Sequence, residues 1–562
     1  MRKRDVTGQG KPIGQLSRTA RQWMAGLKSS VSHLVTPSGP PPKLIFDQLE
    51  PRMLMSADPV VIDLSALHPV QPTNDVVVRL LNDVVTTGNQ TTNIERVEAV
   101  DANNPANVLS SQVVPTGSNV TVIAAPGNNT ITFDLSSLPP AAAQPQFNVV
   151  GNGNVTLGVI ENAGQSAGWH LNGGGAGEID GQVQIGFTGV DHLIGGGADT
   201  LYGSATDTSW SVNGAGAGSV GSTQFGGFAN LVGAAGQNDV FNVTSGGSLA
   251  GGINAGGNGT VSINAGAAES WQLDGGGAGQ ATGPVQIAFT GVDDIIGSGA
   301  DTLTGATTDN SWTIDGAGAG EVGALSFSGF ANLDGAAGQN NTFTVTSTGS
   351  LAGNIDGGGD GTLVISAGNV NTFTSVYTGA HSGSESFDGD TINYTGMLPL
   401  VNSGTAANVN YQISTNNNLL TPQTDNVELY YDSTVGDAHF GMMVLQSLSG
   451  DFETTYFTAP TGNLSINVPD PTNINGGGGS GADTLTIMSL APGFHANLNV
   501  NLLYEGFDPF ATGLLPSSGP GAAIYQNSIF VTGDLNTNGG SINLIAENTY
   551  IEIGRASCRE RV

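Results

Sequence analysis

Between Arg96 and Arg555 the chain has no lysine and no arginine. Of its 14 basic residues, nine lie in 1–55 and three in the last ten positions, which leaves Arg79 and Arg96 for everything between. The same span, 56–552, holds 42 of the 46 acids and so carries about −40, within a chain of formal net charge −32. A body without cations cannot neutralise phosphates, which excludes nucleic acid as a partner. Binding to an anionic membrane face is disfavoured for the same reason. Cysteine is nearly absent too: Cys558 stands alone in the tail, so the body has neither a disulfide framework nor a cysteine metal site. No run of 18 apolar residues occurs, and no transmembrane segment is expected. The seven histidines (33, 68, 170, 192, 381, 439, 495) lack zinc-ligand spacing.

Glycine is abundant, with 86 residues among 562, about twice the usual share. After the first 35 residues no helical period appears. Short alternating runs such as those at Val120 and Thr130, separated by Gly, Asn and Pro, predict strands. The strongest signal is a duplication. Trp169 opens WHLNGGGAGEIDGQVQIGFTGV and Trp271 opens WQLDGGGAGQATGPVQIAFTGV, while Trp210 and Trp312 begin a shorter echo in each copy. The long period is 102 residues, and the inner spacings are 41 and 61. A rung of ~20 residues fits both as two rungs and then three, about five per repeat. Within a copy, Val183, Ile185 and Phe187 alternate and are expected to face inward. The GGGAG and GAGAG runs mark turns. The four tryptophans are expected to fill or cap the core at equivalent points, with a carbohydrate-stacking platform as the alternative.

The leader, 1–58, is basic and places Leu16, Ala20, Trp23, Leu27, Val31 and Leu34 at helical spacing. It lacks the apolar core of a standard secretory signal, and Pro37–Pro42 ends it as a stiff linker. The string Phe46–Asp58, FDQLEPRMLMSAD, resembles the LEPR-XLL motif found near the N-terminus of large, repetitive exported proteins of Gram-negative-type bacteria. Leu49, Glu50, Pro51, Arg52 and Leu54 match the motif, and Met55 departs from its second leucine. The resemblance implies a sorting motif read by bacterial export machinery, followed by a long extracellular array. Further on, the texture of 389–431 resembles bacterial β-strand-repeat rungs, and the segment from Gly533 resembles filamentous-haemagglutinin-like rungs. Residues 553–562 resemble translated sequencing-adapter DNA and are expected to be foreign to the fold.

Three patterns invite a chemical reading. Gly478–Leu485 fits the calcium nonapeptide G-G-x-G-x-D-x-L, and Ile194–Leu201 and Ile296–Leu303 fit it except at the first glycine. The acids concerned, Asp199, Asp301 and Asp483, are therefore candidate calcium ligands. The copies are isolated, whereas such sites share each ion between consecutive turns, and Gly-Asp turns are the competing account. Gly164–Gly168 satisfies G-x-S-x-G, but without the surrounding strand–turn–helix. Asp293-Asp294 is a carboxylate pair, yet the sister copy has Asp191-His192 there, so no catalytic residue is assigned.

The expected fold is all-β: a right-handed parallel β-helix or β-solenoid of ~20-residue rungs after a short helical or disordered leader. Tandem β-sandwich repeats of ~100 residues are the alternative. The segments are 1–58, leader and sorting motif; 59–155, a strand region or cap; 156–366, the two repeats; 367–490, further rungs; and 491–552, a strand region. The expected role is structural or adhesive, in a secreted or outer-membrane-associated surface protein without catalysis. Its partner would be a glycan or protein on a cell surface or in extracellular matrix. A calcium-dependent secreted protein and a β-helical polysaccharide-degrading enzyme are the alternatives.

Overall fold

The computed structural model describes residues 60–67, 73–87, 90–115, 118–138, 144–206, 208–308, 311–413, 426–468, 483–502, 527–546 and 548–551. The chain divides into two units, Met1–Ser56 and Ala57–Val562. The leader, the Leu49–Leu54 motif, the glycines of 478–481 and the tail lie outside the described residues. Among the described residues the structure is all-β, with 38 strands and one four-residue helix, Leu64–Leu67. No helix among them is long and apolar enough to cross a membrane.

The alternation read from the sequence is the alternation of burial. Along Asn128–Asp134, every second residue is buried. In the first repeat Val183, Ile185 and Phe187 face inward at 3%, 0% and 2% exposure, with Gln184 outward. Each inward aliphatic or aromatic side chain contributes roughly 1.5–3 kcal/mol when the next strand covers it.

The strands are arranged in two ladders that the chain visits alternately. In the first, Val120 pairs with Phe147 and Phe147 with Ile185. It resumes with Trp169, Leu201, Leu231 and Ile253 in parallel register. In the second, Ile131, Leu157, Leu193 and Phe225 follow one another in the same way. Trp210, Phe241, Val261, Ile295 and Phe327 continue it. Strands of one copy pair directly with strands of the next, as Val261 does with Ile295, so the duplication lengthens shared ladders.

Antiparallel meanders of three strands interrupt the parallel pairing. The one that Trp169 begins runs through Gly168–Gly173, Ala176–Asp180 and Gln184–Thr188. Its hairpin turn holds Gly174 and Gly175 at φ of +61° and +73°, where a Cβ is strained. Gly177 in the middle strand is required for another reason. A Cβ there would lie 2.3 Å from the His170 carbonyl oxygen and 2.6 Å from Phe187 Cζ.

The meanders alternate strictly between the ladders. One in the second ladder, Thr73–Thr87 with Gln90–Asp101 and Asn104–Val114, opens the series. The Trp169 meander lies in the first ladder, that of Trp210 in the second, that of Trp271 in the first and that of Trp312 in the second. Residues 369–395 follow in the first, and 426–457 in the second.

This pattern corrects the expected five equal rungs per repeat. Where nothing is inserted the register step is near 20, as from Val240 to Thr260, or 22, as from Asn230 to Gly252. Where a meander intervenes it grows to 32, from Trp169 to Leu201, or 31, from Trp210 to Phe241. A repeat therefore makes four unequal passes. The 41-residue spacing separates meanders on opposite ladders.

All four repeat tryptophans are 0% exposed. Trp210 stacks on Phe241 with centroids 5.0 Å apart, and Trp312 on Phe343 at 5.2 Å. They fill the core, so the alternative of a carbohydrate platform built on them does not hold.

Candidate functional site

The aspartates of the nonapeptide-like segments are buried partners of the tryptophans. Asp199 precedes by two residues Leu201, which pairs with Trp169, and this offset aims the carboxylate at the indole. Its Oδ2 accepts Trp169 Nε1–H at 3.0 Å and Gly196 N–H at 2.8 Å, and its Oδ1 accepts Ala167 N–H at 2.9 Å. Asp301 repeats the arrangement with Trp271 Nε1 at 3.1 Å, Ser298 N at 2.9 Å and Glu269 N at 2.9 Å. Asp239 does the same for Trp210 at 3.2 Å. In the fourth place stands Asn341, whose amide donates to Ala336 and Gly357 carbonyls, and Trp312 Nε1 has no hydrogen-bond partner.

Calcium takes six to eight oxygen ligands. Asp199 and Asp301 are 0% exposed and spend both oxygens on N–H donors, so they do not fit that ion. A second carboxyl lies near each. Glu161 is pushed up to about 7 by burial and then by Asp199. Glu269 is also raised by burial, with Asp301 adding to it and the Val285 N–H opposing. A proton on the glutamate relieves such a pair without a metal. Asp483 is buried in another strand entry, where its N–H donates to Asn527 Oδ1 at 2.9 Å. The structure brings none of the three aspartates together. Among the described residues, no group of three or more Asp, Glu, His or Cys is gathered to hold a metal.

Two other dismissed patterns are also placed. Ser166 of G-x-S-x-G is exposed and runs into a strand, and Asp294 accepts Thr260 Oγ1 at 3.4 Å.

The 369–395 meander hides a polar cluster that the sequence did not announce. Ser375 and Glu385 stand where Trp169 and Ile179 stand in the Trp169 meander. Glu385 accepts the Ser375 hydroxyl at 2.7 Å, and Tyr377 pairs with Thr455 at 2.7 Å. Tyr394 donates to Glu453 at 3.4 Å. Glu385 and Glu453 are 1% and 0% exposed, and burial pushes them up to about 8 and about 9. Enclosed on all sides, the cluster has no access for a substrate.

The accessible candidate is a groove on the outer face of the Trp169 meander, with a volume near 450 Å³. Register sets its floor. Across the strands stand Thr121, Asn148, Gly186, Glu178, His170 and Tyr202, each opposite the next. Gly186 leaves the gap in that row, between Asn148 on one side and Glu178 on the other. Gln146 donates to Gln184 at 2.8 Å along one wall. Beyond Glu178, His170 and Tyr202 stack at 4.3 Å with planes 9° apart, forming an aromatic ledge. The lining of the groove offers amides and carboxylates, and the aromatic pair stands outside that lining on the two strands beyond Glu178. Its signal lay in the two copies compared at outward positions only, where His170, Glu178, Gly186 and Tyr202 face Gln272, Gln280, Ala288 and Thr304.

No protein-family model, curated protein or solved structure matches this chain.

Proposed function

We propose that residues 59–552 form an acidic right-handed parallel β-solenoid, the structural and adhesive stalk of a large exported bacterial surface protein. The observation that carries this reading is the pairing of one repeat directly onto the next within shared parallel ladders. Such an array gains length by duplication without a new interface, because each turn contacts only its neighbours. The charge near −40 supports it by disfavouring collapse onto other acidic surfaces. The LEPR-XLL resemblance at Leu49–Leu54 supplies the export step. No catalysis belongs to this reading, and calcium acts at most as diffuse screening.

Each ladder has somewhat over twenty strands at ~4.8 Å spacing, which corresponds to a body on the order of 100 Å long. Small-angle scattering of the full chain in EDTA tests the shape. A rod of that length has a radius of gyration of about 30 Å, against about 23 Å for a compact 500-residue domain. The compact value, or strand signal that appears only when calcium is added, would refute the solenoid stalk. Fusion of 1–60 to a reporter tests export, and a reporter retained in the cytoplasm of a suitable bacterial host counts against the sorting role.

A further inference from the structure

We propose that the groove at Gly186 binds a neutral saccharide chain, with a sugar ring on the His170–Tyr202 ledge and its hydroxyls on Asn148, Gln184 and Glu178. The proposal names the ligand class of the adhesive reading above and rests on that reading for its setting.

The first argument is that the groove is not needed by the fold. Gly186 does not have a positive φ. A Cβ built on it would meet nothing closer than Asn148 Oδ1 at 3.5 Å. Backbone geometry therefore admits alanine, and the second copy has Ala288 at this place. The glycine's effect is to leave the row open where the cavity lies.

The second argument uses the duplication as an internal control. Between the copies five inward residues, Trp, Leu, Val, Ile and Phe, are retained at 169/271, 171/273, 183/285, 185/287 and 187/289, while the inward Ile179 becomes Ala281. Outward, the aromatic ledge, the carboxylate and the gap are all lost in the second copy. Its parallel neighbour changes as well: Ala288 pairs with Gly252, where Gly186 pairs with Asn148. One backbone thus carries two outer faces: the second keeps amides at Gln272, Gln280 and Gln286, and only the first joins them to a carboxylate, an open gap and an aromatic pair.

The third argument is chemical. Amide and carboxylate groups match the mixed donors and acceptors of sugar hydroxyls, and stacked aromatic rings offer an apolar face to the C–H side of a pyranose. A volume near 450 Å³ falls in the range of roughly 300–1,000 Å³ typical of small-ligand sites. Glu178 and Asp180 line the groove, and neither Lys nor Arg does. Uronic or sulfated sugars are therefore repelled, which selects neutral ones.

The test is titration calorimetry of the full chain with β-1,4-glucan, α-mannan and β-galactan hexasaccharides, and with an oligogalacturonate and an oligolysine peptide. The variant His170→Gln/Glu178→Gln/Gly186→Ala/Tyr202→Thr rewrites the outer row as the second copy has it, with residues that this backbone already accommodates. At least one neutral hexasaccharide should bind the wild type, and the variant should bind it about tenfold or more weakly at an unchanged melting temperature. Absence of binding to every neutral probe overturns the proposal. So does equal binding by the variant, or binding confined to the oligogalacturonate or the peptide. Scattering and the export reporter do not depend on this row. If they fail while the groove binds sugar, the stalk reading falls; the converse result removes only the groove.

Discussion

Raising the pH from 5 to 7 should destabilise the body through two buried glutamates. Glu385 is pushed up to about 8 and Glu453 to about 9, in each case chiefly by burial. Hydrogen bonding from Ser375 opposes the shift at Glu385, while Glu385 itself adds to that at Glu453. Tyr377, Tyr394 and Tyr411 face the pair and are raised above their ordinary range, so they stay neutral throughout. Both glutamates hold a proton in the folded chain at pH 7, whereas in the unfolded chain they lose it near 4.5. Stability is therefore full below the unfolded value and is lost as pH rises toward the folded values. At ~1.4 kcal/mol per pH unit and group, the interval from 5 to 7 costs about 3 kcal/mol for each glutamate. Urea titrations of the full chain at pH 5, 6, 7 and 8 measure this slope. Glu385→Gln and Glu453→Gln each remove one titrating group in a similar shape, and each should flatten the slope by about that amount. Glu161, pushed up to about 7, slopes the same way in every variant and cancels in the comparison. A slope unchanged by either substitution would refute the reasoning, since it would mean that both carboxyls reach water and ionise normally.

The remaining predictions concern the repeats. Asp199→Ala strands the indole N–H of Trp169 and the amides of Ala167 and Gly196, and should cost at least about 3 kcal/mol in chemical denaturation. Asp199→Asn keeps one of the two acceptor oxygens and should cost less; equal losses would argue against the clasp. Gly177→Ala drives a Cβ into the His170 carbonyl and should destabilise by about 1–3 kcal/mol, whereas Gly186→Ala should leave the melting temperature unchanged. The reverse order would contradict the assigned register.

How much of this was legible in the sequence depends on how local each feature is. Strand alternation is local, and Val183, Ile185 and Phe187 face inward as their parity predicts. The number of passes per repeat was misread because a meander places three strands where one was counted. Both Trp169 and Trp210 start such insertions, so their spacing does not count equal rungs. The D-T-L of Asp199–Leu201 suggested a metal because the sequence does not display its partner, an indole 30 residues earlier. The groove was further from sight. Asn148, Gly186, Glu178, His170 and Tyr202 become neighbours only once parallel and antiparallel registers are combined. Glu385 escaped notice for the opposite reason: nothing in its strand marks it as buried until Ser375 is seen in the place of a tryptophan.

The strict alternation of the meanders sets an arithmetic for growth. Each one inserts two extra strands on one side, about 10 Å of added edge, and leaves the other side short until the next meander repays it. Duplicating one Trp-initiated segment alone would tilt every subsequent strand, as a wedge driven into one side of a stack of plates tilts those above it. Only a segment containing one insertion for each side can be copied straight, and the 102-residue unit, with Trp169 on one ladder and Trp210 on the other, is such a segment. Excising the Trp210 meander alone would therefore introduce a bend at that point, whereas excising both members of a pair would only shorten the body.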